Sequence, residues 1–535
     1  MPKITMIYGG PGTGKTHALL EELAKRLERI PAKEIAYVSY TRQGTYQGVD
    51  LAKDQYDLTE AECEYFKTLH SLAFHSLELK SDALINSKDL NPMLEKLALK
   101  YQQFELINTK ICIAENKLSE EQEIAEHVQG VSVGKQKLTR EVYTEYKKLI
   151  RKLDYTDLLL LVKERQTTLP VKVAFIDEAQ DLTTLQWQVV WQFFKNVDEL
   201  IIAGDPNQSI FEWAGADVNY FLKMRTDEQR VLEKSHRCSR AVWNMAKQVY
   251  ACIKEKAPIP KEGTEEQGFA IVSNTTELPI PFLQGMANKG SLFCLAQQNA
   301  YLDRYIEACV TYGIPYLVKK SGKTIYSVKQ EVLSYFKFLC EVRDDPKKQE
   351  LYITNNKRRP RGEVRKIRTM KEHLEKDNLV RLPWNDTEAL TERLYELAYE
   401  KCEEPEQAEM LIRAIATGNI KNPALFVTIT NVHQVKGGEA DYVLFCDNIP
   451  NQYIAEAESK PSFKDYLLRI MYVAVTRAKK GICVWHRDIY RTVAPTYLFN
   501  NVGSFEGVQP IVSPKAERFI EIHRTNIKEG NNANN

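Results

Sequence analysis

The chain has 535 residues, of which 43% are apolar and 27% charged, and 73 basic side chains against 72 acidic ones give a net charge of +1. At about 150 residues per domain, this length predicts roughly three or four domains, and the apolar fraction is typical of a globular protein rather than a disordered or fibrous one. The near-zero net charge excludes a polybasic coat protein, so any nucleic-acid site must be regional.

Two features that the sequence does not show bear on where the protein is expected to be found in the cell. No uninterrupted apolar run approaches the roughly 18 residues that span a bilayer, and the first ten residues lack the segments of a secretion signal. The ten cysteines are scattered, so neither a CxxC metal site nor a disulfide scaffold is indicated. We therefore expect a cytoplasmic protein with reduced thiols and no membrane partner.

Short apolar runs alternate with helical patterns in two blocks, which predicts two parallel α/β sheets. Strands are predicted in the first block at 4–8, 35–38, 171–176 and 200–203, and in the second at 292–295, 426–430, 442–445 and 482–485. Most runs of the first block end in glycine or polar residues. Open α/β sheets bind ligands at the carboxyl ends of their strands, so we expect the chemistry there.

Each block is interrupted by a helical insertion. The first, at roughly 76–155, carries an apolar stripe at helical spacing that is interpreted as core, formed by Tyr143, Tyr146, Leu149, Ile150 and Leu153. The second, at roughly 325–420, contains a basic cluster that is either a solvated loop or a phosphate-contacting patch, formed by Lys357, Arg358, Arg359 and Arg361. The last six residues, 530–535, offer no large apolar side chain, which predicts disorder at that end.

A phosphate-binding loop follows the first predicted strand. Residues 9–16 read GGPGTGKT, which fits GxxxxGK[ST], and a helix is predicted at 18–30. Backbone N–H groups of such a loop cradle phosphates, while Lys15 reaches the β- and γ-phosphates and Thr16 ligates Mg²⁺. The predicted phosphate-binding residues are Gly9, Gly10, Pro11, Gly12, Thr13, Gly14, Lys15 and Thr16.

A phosphate-binding loop alone is compatible with kinases, GTPases, motors and helicases. A second site, which is acidic, narrows the class of reaction. Asp177 and Glu178 directly follow the apolar run 171–176. At the end of a strand, Asp177 can hold Mg²⁺ and Glu178 can orient and deprotonate an attacking water. Water as the nucleophile means hydrolysis.

Six segments carry a family resemblance, and in chain order they are GGPGTGKT, IDEAQD, AGDPNQSIFEWAGAD, LEKSHR, VHQVKGGE and YVAVTRAKK. Together they resemble the motifs of the UvrD/Rep/PcrA group of superfamily 1 DNA helicases. The resemblance implies an α/β fold of two RecA-like P-loop motor domains with parallel sheets, each carrying a mainly helical insertion. It also implies ATP and Mg²⁺ as cofactors, ATP in the cleft between the motor domains, and 3′→5′ movement on single-stranded DNA.

The domain boundaries expected from this resemblance divide both motor domains. The first motor domain is predicted at 1–75 and 156–240, its insertion at 76–155, the second motor domain at 241–324 and 421–500, its basic insertion at 325–420, and a tail at 501–535.

The resemblance assigns further residues around the nucleotide. Gln208 is placed to bond the γ-phosphate and water, while Arg237 and Arg477 each offer a permanent planar charge to the transferring phosphate. Contacts to adenine or ribose are expected from His17, His236 and Glu439. The predicted catalytic set is Lys15, Glu178, Gln208, Arg237 and Arg477.

The DNA contacts rest on the same resemblance. Trp213 resembles an aromatic residue that stacks on a base, an interaction of about 1–3 kcal/mol per base that reads no sequence; a buried core role is the alternative. Six further residues resemble family segments that bind the DNA strand, and they are Tyr40, Thr41, Arg42, Thr68, His70 and His433. For each of these, core packing or a helix cap is the alternative. We expect the basic cluster to contact duplex phosphates ahead of the motor.

The sequence therefore predicts an ATP-dependent DNA helicase that translocates 3′→5′ on single-stranded DNA and unwinds duplex. Two alternatives stay open, namely a translocase that displaces proteins without processive unwinding and an ATP-switched DNA-binding scaffold. The expected partners are single-stranded DNA and tailed duplex DNA, with replication or repair proteins in addition, and the expected working unit is a monomer.

Overall fold

The computed structural model describes residues 2–39, 50, 52–118, 131–320, 322–345, 347–349, 374–377, 379, 384, 386–421, 424, 426–488, 491–493 and 514–533. The chain divides into two compact units. Unit 1 comprises Met1–Cys238, Tyr250–Glu265 and Lys460–Tyr472, and unit 2 comprises Ser239–Val249, Glu266–Ser459 and Val473–Asn535. In the part of the chain that is described, no helix is long and apolar enough to cross a bilayer.

Unit 1 is built on a six-stranded sheet in which all neighbouring strands run parallel, in the order β3-β2-β4-β5-β1-β6. The strands are β1 (Lys3–Gly9), β2 (Ile35–Ser39), β3 (Phe66–Thr68), β4 (Val173–Asp177), β5 (Glu199–Gly204) and β6 (Glu228–Leu232). Parallel strands are covered on both faces and therefore read as continuous apolar runs, as the fully buried β2 and β4 do. The four predicted strands of this sheet are confirmed.

The sequence did not predict the two edge strands of this sheet. β3 has only three residues, and β6 begins with the exposed sequence Glu-Gln-Arg. An edge strand has a neighbour on one side only and lacks the apolar run on which the prediction relied.

Unit 1 contains a helical insertion with a core of its own. Among the helices up to residue 222 are α1 (Lys15–Leu27), α2 (Leu69–Ser76), α3 (Ser87–Lys96), α4 (Tyr101–Lys117), α5 (Val133–Ile150), α6 (Tyr155–Glu164), α7 (Thr184–Phe193) and α8 (Val218–Leu222). Side chains of α3, α4 and α5 form one apolar cluster, which includes Leu90, Phe104 and Tyr143.

The predicted apolar stripe of α5 is wrong for Leu149, whose side chain is 78% exposed, although Tyr143 is buried. At about 100° per residue, Leu149 points about 120° away from Tyr143 on the helix. Lys147 takes the buried face instead, with its Nζ 2.6 Å from both Asp154 and Asp157. A buried lysine paired with two carboxylates does not stand out in an apolar pattern.

Unit 2 is built on a seven-stranded sheet in the order β10-β9-β11-β8-β12-β13-β7. All neighbours are parallel except β9 and β10, which form an antiparallel pair. The strands are β7 (Phe269–Ser273), β8 (Leu292–Ala296), β9 (Tyr316–Lys320), β10 (Lys323–Tyr326), β11 (Val427–Asn431), β12 (Ala440–Cys446) and β13 (Ala478–Trp485). Two parallel-dominated sheets with many helices confirm the predicted α/β class.

The remaining helices follow α8 along the chain. They are α9 (Arg240–Cys252), α10 (Ile280–Ala287), α11 (Asp303–Thr311), α12 (Gln330–Asp344), α13 (Thr387–Lys401), α14 (Pro405–Thr417), α15 (Asn451–Ser459), α16 (Pro461–Val475) and α17 (Pro514–Ala533).

The end of the chain differs from the disorder predicted for 530–535. α17 runs to Ala533, so 530–533 are helical. Upstream, Ala516 and Ile520 pack into the apolar cluster formed with α12, α13 and α14, and Arg413 pairs with Glu517 at 2.7 Å. Once a docked segment has nucleated a helix, each further residue adds a hydrogen bond, and this extends the helix into a polar sequence.

Docking of α17 predicts unequal effects at two isoleucines. Ile520→Ala should lower the free energy of unfolding by about 2–5 kcal/mol, since Ile520 is buried in the cluster. Ile522→Ala, the matched control, should change it by less than about 0.5 kcal/mol, because Ile522 is 50% exposed. Urea unfolding of the full chain measures both, and equal losses would show that α17 does not pack as described.

Candidate functional site

The loop between β1 and α1 has the backbone of an anion site. Gly12 and Gly14 have φ values of +68° and +76°, a region that side chains with a Cβ rarely adopt. Gly14 directly precedes α1, whose first residue is Lys15. A Cβ on Gly12 would also clash with the Cβ of Arg237. The loop therefore requires glycine for conformation and space, and it places backbone N–H groups at a helix N-terminus, where anions bind.

The two predicted metal ligands lie together beside this loop. Asp177 ends β4, and its Oδ2 accepts hydrogen bonds from Thr16 Oγ1 and from Tyr37 OH, each at 3.0 Å. Burial, and next the charge of Glu178, raise the pKa of Asp177 to about 6, and Lys15 opposes the shift. A carboxylate and a hydroxyl oxygen are hard ligands of the kind that Mg²⁺ takes together with phosphates and water. The residues present thus fit Mg²⁺ bound with a nucleotide.

Glu178 has a constrained backbone next to this pair. Its φ is +52°, uncommon for a residue with a Cβ, and its N–H donates to Asp177 Oδ1 at 2.9 Å. The carboxylate lies 3.9 Å from Lys15 Nζ, measured to Oε1, and accepts a hydrogen bond from Gln180 Nε2 at 2.6 Å through Oε2. The structure therefore brings the predicted base next to the predicted phosphate-binding lysine.

Sequence reasoning missed Gln180, which connects Glu178 to the loop after β5. Gln180 is fully buried, its Oε1 accepts from Asp205 N at 2.9 Å, and its carbonyl accepts from Ser209 Oγ at 3.0 Å. Gln208 Nε2 in turn donates to Asp205 Oδ2 at 2.6 Å. A signal was available, because Gln180 lies two residues after Glu178 within the same polar segment.

The segment after β6 lies against the phosphate-binding loop. His236 N donates to Gly12 O at 2.8 Å, and Ser235 Oγ donates to Pro11 O at 2.6 Å. These bonds place Arg237 beside the loop. His17 is exposed on α1, with its Nε2 3.4 Å from Glu21, and His236 is exposed as well.

In unit 2, Arg477 is buried just before β13. Its Nε donates to Val473 O at 3.1 Å, and Nη1 donates to Gly438 O at 3.0 Å. Glu439, next to Gly438, is exposed and lies 3.3 Å from Lys479 Nζ. Unit 2 thus brings the segments VHQVKGGE and YVAVTRAKK together.

Trp213 lies in the short 3₁₀ turn Glu212–Ala214 of unit 1. Its side chain is 52% exposed, and its ring meets Phe211 edge to face with 6.3 Å between centroids. The exposure is too large for a core tryptophan, so the alternative reading as core is wrong.

The remaining predicted DNA residues have mixed outcomes. Thr68 caps α2 by accepting from Ser71 N at 3.3 Å, which is the alternative named for it. His70 meets Tyr155 edge to face at 5.7 Å, and burial lowers the pKa of His70 to about 4. His433 lies in the 3₁₀ turn Val432–Val435. Outside the described residues lie Tyr40, Thr41, Arg42, Lys357, Arg358, Arg359 and Arg361.

Comparison with known proteins gives one family and several bacterial relatives. Residues 2–229 match the family described as UvrD/REP helicase N-terminal domain. Proteins described as ATP-dependent DNA helicase PcrA are similar: that of Bacillus subtilis (strain 168) is 23% identical over 47% of this chain and 38% of its own length. One from Staphylococcus epidermidis is 22% identical over 68% of this chain and 55% of its own length, and one from Staphylococcus aureus is 21% identical over 64% and 52%.

The chain spans about half the length of the relatives it matches, or less. The family match covers the unit 1 segments that build the site, from the phosphate-binding loop to the Trp213 turn. Residues 2–229 therefore match the UvrD/REP helicase N-terminal domain, and the chain is similar to PcrA-type helicases over about half to two thirds of its length.

Proposed function

We propose that this chain is a DNA-stimulated ATPase that translocates 3′→5′ on single-stranded DNA and unwinds duplex DNA. One observation carries the proposal, namely that Lys15, Thr16, Asp177 and Glu178 converge at the carboxyl ends of parallel strands in unit 1. A glycine loop, a lysine and two carboxylates at this edge are what nucleoside triphosphate hydrolysis requires.

Mg²⁺ and ATP fit the residues of this edge. The loop 9–16 would hold the phosphates through its backbone N–H groups and Lys15, while Thr16 and Asp177 would hold Mg²⁺. When bound, the ion would neutralise part of the negative charge of the phosphates. Tyr37, which donates to the same Asp177 oxygen as Thr16, keeps the carboxylate oriented toward the loop.

Glu178 is the group that takes the proton of the attacking water. Its constrained backbone and the hydrogen bond from Gln180 hold the carboxylate in one orientation. Gln208 orients the water or senses the γ-phosphate, and Gln180 connects the two residues. Arg237, beside the loop of unit 1, adds positive charge that stabilises the transferring phosphate, and the resemblance assigns the same role to Arg477.

On the DNA side, Trp213 offers an exposed ring on which a base can stack without sequence selection. His70, neutral because its pKa is about 4, is suited to stacking or to hydrogen bonding with a base rather than to pairing with phosphate. The direction 3′→5′ follows from the resemblance alone, whereas the contact of the basic cluster with duplex phosphates is proposed from the charge of its side chains. The monomeric motor is a further part of the proposal.

A translocase that displaces proteins without processive unwinding is a second candidate. The printed sequence contains no GIG segment of the kind that, in the family it resembles, forms a hairpin gripping the duplex backbone, and this favours the translocase. An ATP-switched scaffold would need no hydrolytic base, so the presence of Glu178 beside Lys15 argues against it.

The first prediction of the proposed function concerns ATP turnover. Lys15→Ala should abolish turnover, because it removes the positive charge that contacts the phosphates. Glu178→Gln should bind ATP but hydrolyse it about 10²–10⁴ times more slowly. Lys25→Ala changes an exposed lysine of the same helix and should hydrolyse ATP at the wild-type rate. Steady-state hydrolysis with and without single-stranded DNA measures all three. Near-normal turnover by Glu178→Gln would refute its assignment as the base.

A second prediction concerns Trp213. Trp213→Ala should lower DNA stimulation of ATP hydrolysis far more than basal hydrolysis, because a stacking contact of about 1–3 kcal/mol is lost at a site distinct from the phosphate loop. Leu149→Ala, which changes an exposed apolar side chain of the insertion, is the control. Hydrolysis is measured against single-stranded DNA concentration, and an unchanged half-maximal concentration and maximum would exclude a stacking role.

The raised pKa of Asp177 gives a third prediction, for the protein without nucleotide. The folded carboxyl has a pKa of about 6 and the unfolded one of about 3.9, so the wild type loses stability as pH rises through this window. Asp177→Asn has no such ionisation and should be more stable than wild type at pH 7.5 by about 2–3 kcal/mol, a difference that should vanish near pH 4.

Urea unfolding at both pH values checks this expectation. Adding Mg²⁺ and ATP at pH 7.5 should raise the stability of the wild type more than that of Asp177→Asn, because only the ionised carboxylate ligates the metal. A difference independent of pH, or equal stabilisation by Mg²⁺ and ATP, would contradict the assignment of Asp177.

A further inference from the structure

An ion pair between the partly buried Glu212 and the buried Arg469 holds the turn that presents Trp213. Glu212, the residue before Trp213, accepts a hydrogen bond from Arg469 Nη1 at 2.6 Å through its Oε1. The Arg469 side chain is 2% exposed, while that of Trp213 projects into solvent. Both members of the pair belong to unit 1, although 257 positions separate them in the sequence.

Arg469 also holds a loop of the same unit. Its Nη2 donates to Glu255 O at 2.7 Å. One turn earlier on α16, the buried Asp465 accepts from Lys254 N at 3.0 Å and from Glu255 N at 2.9 Å. Two buried side chains of α16 therefore fix the backbone at 254–255, and one of them also fixes the Trp213 turn.

The same loop extends to the nucleotide site. Ala257 exchanges two hydrogen bonds with the buried side chain of Asn207, from Asn207 Nδ2 to Ala257 O at 3.0 Å and from Ala257 N to Asn207 Oδ1 at 3.1 Å. The next residue is Gln208, whose amide is bonded to Asp205. Hydrogen bonds thus connect Glu212 through Arg469 and the 254–257 loop to the residue beside Gln208.

We infer that Arg469 is a positioning residue that fixes the Trp213 turn relative to the Asn207–Gln208 loop, so that a base stacked on Trp213 alters turnover at Glu178. This inference rests on the proposed function. An exposed ring needs a rigid support to act as a stacking platform. The planar guanidinium can hold Glu212 and the Glu255 carbonyl at the same time, whereas an ammonium group is a point charge without this fork.

The removal of one charge of the pair tests the inference. Glu212→Gln keeps the size of the side chain and leaves Trp213 in place, but it removes the negative charge that is bonded to the buried guanidinium. The ratio of DNA-stimulated to basal ATP hydrolysis should fall by at least about tenfold, and the half-maximal concentration of single-stranded DNA should rise. Glu228→Gln breaks an exposed pair with Lys3 in the same unit and should keep the wild-type ratio.

A double-mutant cycle separates positioning from general destabilisation. In a Trp213→Ala background, Glu212→Gln should cause little further loss of the ratio, because its effect is exerted through the ring that is already absent. A loss of the same size in both backgrounds would overturn the inference. Arg469→Lys provides a second test, since it keeps the charge but not the two simultaneous contacts, and its ratio should fall to an intermediate value.

The outcomes also separate this inference from the proposed function. If wild-type hydrolysis does not respond to single-stranded DNA, the proposed function is wrong. If wild-type hydrolysis responds and Glu212→Gln and Arg469→Lys both keep the wild-type ratio, the proposed function stands and Arg469 has no positioning role.

Discussion

The site depends on one buried carboxylate, Asp177, at the end of the central strand β4. It accepts hydrogen bonds from Thr16 on α1 and from Tyr37 on β2, so one side chain fixes the phosphate-binding loop relative to two strands. Burial makes the ionised form costly, and the raised pKa is the measure of this cost. A group that is costly to ionise alone gains most from a bound cation, so the same constraint that orients the loop also favours Mg²⁺ with a nucleotide.

From Asp177 the network extends outward through short polar links. Glu178 is bonded to Gln180, Gln180 to the backbone of Asp205, and Asp205 to Gln208, so the base and the predicted γ-phosphate sensor are held together. Nearly all of these groups are buried, and a buried polar network strongly restricts alternative arrangements because each broken bond leaves an unsatisfied group. The links through Asn207 and Arg469 extend the network to Trp213.

Sequence reasoning worked where one physical signal dominates. The central strands of both sheets read as apolar runs because both faces are covered, and the glycine loop is visible because its conformation demands glycine. It failed where partners are distant in sequence or where the pattern is mixed. The Glu212–Arg469 pair joins residues 257 positions apart, Lys147 occupies a buried face of α5, and the edge strand β6 begins with polar residues. The prediction for α17 failed for a similar reason. The polar residues 530–535 gave no sign that Ile520, further upstream on the same helix, is packed in an apolar cluster.

The central claim is that this edge of unit 1 powers directional movement along single-stranded DNA. The most direct measurement compares the unwinding of two duplexes that differ only in carrying a 3′ or a 5′ single-stranded tail, with Mg²⁺ and ATP and with Glu178→Gln as the hydrolysis-deficient control. The account predicts strand separation of the 3′-tailed duplex by the wild type alone, and little with the 5′ tail. Equal unwinding of both duplexes, or unwinding by Glu178→Gln at the wild-type rate, would contradict it.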